Sequence, residues 1–360
     1  MRLGSVRARA ITLRFASPVR TARGTFGERK LILLELRDTD AVAGYGEAAP
    51  WPGFGTETVA DSLAVLQQAE PLLCAAGVEP DQLPAALTAL FDAAPAARSA
   101  LEAALWDLAA RRAGRPLAEL LATAVVRTTG IALRQVAASA LLIEQVPEAL
   151  REEAALARGA GHRAAKLKVG APGLADDVAR VRAARDGLGP DVALRADANG
   201  AWSEREARGA LDALSAFRLD YVEQPLQADD IEGMARLRRS GRVRIAADES
   251  VATADGARRV IEAQAADVLV LKPAVLGGPA RALQLAAQGR RAGCEIVFTH
   301  TFESTVGVRH VLHCAAAWGD PAAVHGLPVH DLFLDDIGAV PRCAQGLVRV
   351  STEPGIGIDP

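Results

Sequence analysis

The sequence predicts an α/β protein built mainly as a (β/α)8 barrel of the modified TIM-barrel type. Three observations lead there. From about residue 130 onward, short apolar runs alternate with helical stretches rich in Ala, Arg and Leu, the pattern of repeated βα units on a parallel sheet. The runs recur at a strand-plus-helix interval: Lys166 to Asp197 is 31 positions, Asp197 to Glu223 is 26, Glu223 to Asp248 is 25 and Asp248 to Lys272 is 24. Each run passes from apolar to ionisable at its C-terminal end, where barrels of this kind carry their sites. An open doubly wound sheet would alternate too, but it ordinarily carries a Gly-rich phosphate turn after its first strand, and none is evident.

Taken in order, "VRARAITLRF" alternates and "KLILLELRD" is a second strand. "GYGEAAPWPGFGTET" is rich in glycine and turn residues and reads as a loop. Helical patterns follow at about 57–76, 82–92 and 96–113; the last, "ARSALEAALWDLAARRAG", closes on a glycine suited to a C-cap. "VAASALL" near 136–142 supplies the first barrel strand. "AAKLKVG", "ALRADAN", "DYVEQP", "RIAADES", "VLVLKPA", "EIVFTHT" and "AVHGLP" supply the rest.

Half of the 360 residues are hydrophobic, enough for a globular core in one large domain or two. The net charge of −3, with arginines interspersed among acids, argues against nucleic-acid and anionic-membrane partners. No apolar run approaches the roughly 20 residues of a membrane span. "MRLGSVRARA" lacks the apolar core of a signal peptide, so a cytoplasmic location is expected. Cys74, Cys294, Cys314 and Cys343 are scattered without metal or disulfide spacing and read as buried thiols of a reducing compartment.

The chemistry lies in the lysines. Of 41 basic residues only four are lysine: Lys30, Lys166, Lys168 and Lys272. Arginine stays protonated and cannot serve as a base; lysine can, when burial and neighbouring positive charge depress its pKa. Lys166 and Lys168 lie two apart, on the same side of a strand. Asp197, Glu223 and Asp248 end three successive strands and converge at the barrel mouth. A lone acid there would read as a helix N-terminal charge. Three in register, flanked by lysines, call for a hard divalent cation: Mg²⁺, with Mn²⁺ as the other candidate. Lys168 then removes a proton from carbon next to a carboxylate, the metal stabilises the enediolate, and Lys272 faces Lys168 across the cavity.

The set "KLK", "DAN", "EQP", "DES", "LKP" resembles the enolase superfamily, muconate-lactonizing subgroup, over essentially the whole chain. The resemblance implies an α+β capping domain over residues 1–115, a tail over 330–360 that returns to it, and a modified (β/α)8 barrel over 125–325. It implies Asp197, Glu223 and Asp248 as the Mg²⁺ ligands and Lys168 and Lys272 as the catalytic pair. Lys166, Asn199 and Glu249 are then supporting residues. "GEAAPWPGFGTET" and "THTFESTVG" resemble the capping-loop and seventh-strand segments of o-succinylbenzoate synthases, although Thr299 and Thr301 stand where serines are usual. That likeness implies a syn dehydration of 2-succinyl-6-hydroxy-2,4-cyclohexadiene-1-carboxylate to 2-succinylbenzoate, a step of menaquinone biosynthesis. The same lysine pair would serve an N-succinylamino acid racemase or a dipeptide epimerase. The Asp-x-Asp pair typical of the epimerases is missing from "VHGLPVHDLF", where His325 and His330 stand instead. A non-enzymatic metal- or ligand-binding barrel is the remaining reading, and the lysine pair speaks against it. Candidate contacts to a small carboxylate substrate are Arg23, Phe54, Thr299, Thr301 and Ser304, with Arg20 and Arg29 as further loop cations. His310 and His313, three apart on a predicted helix without a third ligand, read as structural. The sequence is compatible with a homo-oligomer.

Overall fold

β1 (Leu3–Thr21) and β2 (Gly24–Asp38) form a long antiparallel pair, and β3 (Ala43–Ala48) adds to the other side of β2. The computed structural model describes residues 1–360 apart from 22–23, 76, 128–131, 172 and 329–330. Alternation along β2 sends Ile32, Leu34 and Leu36 to one buried face. There they meet Leu66 and Leu73 of α1 (Val59–Ala75) and Leu101, Leu105 and Leu108 of α3 (Pro95–Arg112). The short α2 (Ala85–Leu90) closes this core beneath Phe91, and α4 (Leu117–Leu121) leads toward the barrel.

The glycine-rich stretch expected as a loop begins as strand β3. Its pairing with β2 is regular, from Ile32↔Ala48 to Arg37↔Ala43. Its glycines exist for close approach: a Cβ on Gly44 would stand 2.5 Å from the Ala104 carbonyl oxygen, and one on Gly46 would overlap that of Ala100. Strand and helix backbones therefore touch, and glycine's poor strand propensity masks the strand in the sequence.

The second sheet is parallel and runs in chain order. Its strands are β5 (Ala140–Leu142), β6 (Ala164–Lys168), β7 (Ala193–Asp197), β8 (Leu219–Glu223), β9 (Ile245–Ala247), β10 (Val268–Leu271) and β11 (Glu295–Phe298). Between them run α5 (Pro147–Gly159), α6 (Leu174–Leu188), α7 (Glu204–Leu214), α8 (Ile231–Arg239), α9 (Ala254–Glu262), the single turn α10 (Pro273–Leu276) and α11 (Pro279–Arg291); α12 (Thr305–Trp318) follows β11. The expected strand at 136–142 is split at Ser139 into β4 (Gln135–Ala138) and β5. This split closes the barrel. β11 bridges to β12 (Val324–His325) through Thr299↔Gly326, and β12 pairs in parallel with β4. The tail adds β13 (Cys343–Ala344) and β14 (Leu347–Arg349), and β14 lies antiparallel on β4's other edge. The result is a capped (β/α) barrel.

Tyr221, Ala246, Val268, Val270 and Val297 cluster together as one buried group inside the barrel. Two positions beyond Tyr221, Ala246 and Val270 stand Glu223, Asp248 and Lys272. The pleat that turns the apolar residues inward thus delivers the ionisable ones to the mouth.

Cap and barrel are joined by buried polar contacts. A ring N–H of His310 on α12 donates to the Tyr45 carbonyl at 2.9 Å, and His313 Nδ1 accepts from Ala118 N at 3.1 Å. Asp107 of α3 accepts from Ile356 N at 2.7 Å. Desolvation pushes His310 down to about 4 and His313 down to about 3.

Two outcomes are expected. Gly46→Ala forces β3 off α3 and costs about 3 kcal/mol, seen as a fall in Tm or loss of folded protein. The two histidines have folded pKa values below their unfolded ones. Their neutral forms therefore stabilise the fold fully above pH 6.5, and that contribution is lost as pH falls toward 4. At pH 5 the loss is about 2 kcal/mol for His310. A Tm-against-pH series is expected to fall over this window and to flatten in His310→Gln/His313→Gln.

Candidate active site

Five barrel strands deliver the site, from β6 to β10. The pairing Lys168↔Asp197↔Glu223 runs straight across β6, β7 and β8, so their strand ends stand level. Lys166 Nζ donates to Glu223 at 2.9 and 3.1 Å and lies 3.2 Å from Asp197 Oδ2. Lys168 Nζ donates to the same Asp197 oxygen at 3.0 Å and to the Asn199 side-chain oxygen. On the far side, Lys272 Nζ donates to Asp248. Asn199 Nδ2 donates to Glu249 at 3.1 Å, tying β7's end to the turn after β9. The structure therefore places lysines on both sides of the acid trio and brings Lys166, Asn199 and Glu249 alongside.

The lysines differ in exposure. The Lys168 side chain is 43% exposed, open to a molecule entering the mouth, whereas that of Lys272 is 8% exposed. Burial works against the Lys166 ammonium, but Glu223 and Asp197 win and hold its pKa well above the lysine value. Burial likewise opposes the charge of Lys272, and Asp248 and Glu249 outweigh it to raise its pKa. Asp197 sits well below the carboxylate range: burial opposes its charge, and the ammoniums of Lys166 and Lys168 overcome that. Glu223 is pushed up to about 7 by burial and by Asp197. Asp248 is pushed up to about 6 by burial, with Lys272 offsetting part of it.

Among the described residues, no three His, Cys, Asp or Glu side chains close on a common point as a ready ion cage. Each acid is instead paired with a lysine. The donor set nevertheless suits a hard cation. It is all carboxylate oxygen, three acids on adjacent strands, and one ammonium already touches Asp197 and Glu223 together. Glu249 Oε2, beside the trio, is buried without a hydrogen-bond partner.

The expected substrate contacts fare unevenly. Phe54 is near the chemistry, with Lys272 Nζ 4.6 Å from its ring centroid. Thr299 donates to the Gly326 carbonyl at 2.9 Å across the closing bridge. Thr301 is buried, and its backbone N–H donates to Glu303. Ser304 is fully buried, caps α12 through Val306 N and donates to Glu47. Arg23 and His330 lie outside the described residues. Arg29 is turned inward, onto the backbone carbonyls of Ala49 and Pro50.

Sequence reasoning missed Gln224. It is fully buried at a left-handed φ of 40°, strained for a non-glycine residue. Its Nε2 donates to the Leu226 carbonyl and Ser250 Oγ, both at 2.8 Å; its Oε1 accepts from Asp248 N at 3.0 Å and Ser250 N at 3.1 Å. The glutamine thus locks the turn that presents Asp248. The signal was the "EQP" string itself, in which a polar amide follows a buried acid with no surface to reach.

A capped (β/α) barrel whose mouth carries carboxylates between lysines defines the class. Residues 5–122 match the mandelate racemase/muconate lactonizing enzyme N-terminal domain, and residues 149–360 match the enolase C-terminal domain-like family. An o-succinylbenzoate synthase from Geobacillus stearothermophilus is 31% identical over 98% of this chain and 92% of its own length. One from Mycolicibacterium smegmatis is 45% identical over 56% of this chain and 60% of its own. A hydrophobic dipeptide epimerase from Enterococcus faecalis is 29% identical over 99% of both chains. Its crystal structure with Mg and the dipeptide L-Leu-L-Tyr has a TM-score of 0.88 at 27% identity, covering 99% of each chain. The structure of the N-succinyl Arg/Lys racemase from Bacillus cereus also scores 0.88, at 26% identity, covering 100% of this chain and 95% of that one. The chain belongs to the muconate-lactonizing subgroup of the enolase superfamily and is an enzyme. Among the described residues no helix is long and apolar enough to cross a membrane.

Proposed function

We propose that this enzyme is a Mg²⁺-dependent o-succinylbenzoate synthase, dehydrating 2-succinyl-6-hydroxy-2,4-cyclohexadiene-1-carboxylate to 2-succinylbenzoate. The observation that carries the reading is the placement of Lys168 and Lys272 on opposite sides of Asp197, Glu223 and Asp248. The likeness to two o-succinylbenzoate synthases, one of them along nearly the whole chain, supports the choice of substrate.

Asp197, Glu223 and Asp248 would hold the cation, which supplies Lewis-acid stabilisation of charge developing on the substrate carboxylate. Lys168, the accessible amine, removes the proton α to that carboxylate. The same nitrogen returns the proton to the hydroxyl leaving from that face, so the C–O bond breaks with loss of water and the ring becomes aromatic. Asp197 and Asn199 aim the Lys168 nitrogen through the hydrogen bonds they accept. Lys272 stays an ammonium, held so by Asp248 and Glu249, and faces the dienolate ring by cation–π attraction. Its contact with Phe54 is an interaction of the same kind.

A second reading, racemisation of N-succinylamino acids by proton transfer between the two lysines, is favoured by the full-length likeness to a succinyl racemase and an epimerase. Steady-state assays with the cyclohexadiene acid and with N-succinylamino acids separate the two by their kcat/KM ratio. Lys168→Ala is expected to lower kcat for dehydration by about 10³-fold or more with folding intact. Dehydration at the wild-type rate in that variant would refute the assignment. Asp197→Asn is expected to weaken Mg²⁺ binding by roughly 10-fold or more in titration calorimetry, a readout independent of turnover.

A further inference from the structure

We propose that Arg29 is a positioning residue for Lys272, acting through the loop that lays Phe54 against the Lys272 ammonium. The inference rests on the reading of Lys272 as a catalytic group.

Arg29 lies on β2, 8% exposed, its guanidinium turned into the protein. It donates to the Ala49 carbonyl at 2.9 Å and to the Pro50 carbonyl at 2.8 Å. It also lies 4.6 Å from the centroid of the Trp51 ring. One cation thereby fixes two successive carbonyls and the next side chain, the three residues that carry β3 into the turn Pro52–Phe54. Trp51 transmits the constraint. Its carbonyl accepts from Phe54 N at 2.7 Å, its N–H donates to Thr56 Oγ1 at 2.5 Å, and its ring meets that of Phe54 edge-on at 6.1 Å. Phe302, in the loop before α12, presses on Trp51 from the barrel side at 5.7 Å. The far end of this chain of contacts is the Phe54 ring, 4.6 Å from Lys272 Nζ.

Burying a guanidinium is costly unless it is compensated. Here desolvation lowers the Arg29 pKa to about 10, and the nearby carboxyls of Glu303 and Glu47 offset part of that. A loop held only for stability could use an apolar plug. A planar fork that reaches two carbonyls at once fixes orientation as well, and lysine cannot copy it. The neighbouring Lys30, with its side chain 64% exposed and 3.7 Å from Glu28, shows the ordinary use of a cation on this strand. Without the fork, Phe54 loses its fixed seat. The Lys272 ammonium, already on Asp248, then lacks the ring that limits its other motions and no longer holds one position over the substrate.

The test is a double-mutant cycle between Arg29→Lys and Phe54→Leu, run with Mg²⁺ and the cyclohexadiene acid, together with hydrogen–deuterium exchange of residues 49–57. Each single variant is expected to lower kcat about tenfold with KM within about threefold, and the double variant to be no slower than the slower single. Arg29→Lys is also expected to speed exchange at 49–57 while β6 to β10 stay protected. Losses that multiply to about a hundredfold would overturn the proposal, as would a rise in KM alone or a lowered Tm with kcat unchanged. If the wild-type enzyme turns over none of the succinyl substrates, the functional reading fails. The exchange arm still decides the positioning claim, because unchanged exchange at 49–57 in Arg29→Lys refutes it. Should Arg29→Lys not fold, Trp51→Leu, which removes the ring beneath the guanidinium, takes its place in the cycle.

Discussion

Neutralisation of buried acid is the constraint on which the mouth of this barrel depends. Asp197, Glu223 and Asp248 are all almost fully buried, and ionised carboxylates in such a setting are tolerated only beside positive charge. Three lysines meet the need, each from a strand neighbouring an acid or two strands removed. Truncating one partner of a buried pair leaves its mate uncompensated, at about 3–5 kcal/mol. The arrangement is therefore tense by construction.

The surrounding structure serves to hold that balance in place. Period-two side-chain alternation puts the apolar residues of β8 to β10 inside the barrel and the ionisable ones at its rim. Buried amides and strained backbone do the fine placement. Gln224, at φ 40°, fixes the turn carrying Asp248, and Asn199, at φ 46°, couples Lys168 to Glu249. Strain of this kind persists only where neighbours over-determine it, and here the neighbours are the lysines and carboxylates of the mouth.

Much of this was legible in the chain. The rhythm of apolar runs ending in Lys166, Asp197, Glu223, Asp248 and Lys272 gave the parallel sheet and the residues at its mouth, because pleat and strand spacing are local rules that sequence obeys closely. β3 was hidden because its glycines answer to a helix backbone, and that partner lies far along the chain. The split of the first barrel strand at Ser139 was hidden for a similar reason: β4 and β5 look like one run, and only the competing partners β12 and β14 divide them. Among loop residues, sequence could name cations such as Arg29 but not tell an inward-facing one from a solvated one. That distinction depends on which carbonyls the fold leaves in reach.

The strand order carries a consequence for how the molecule comes to be made. β4 is flanked by β12 and β14, so Ala137 finds Val324 on one edge and Leu347 on the other. Such pairings between remote segments are slow to form, since a long loop must close before either contact repays it. During synthesis the early stave waits with both edges bare, first for β12 and then for β14. The ring is sealed only once β12 reaches β4, and a chain cut short before β14 would leave the other edge of β4 open to other chains.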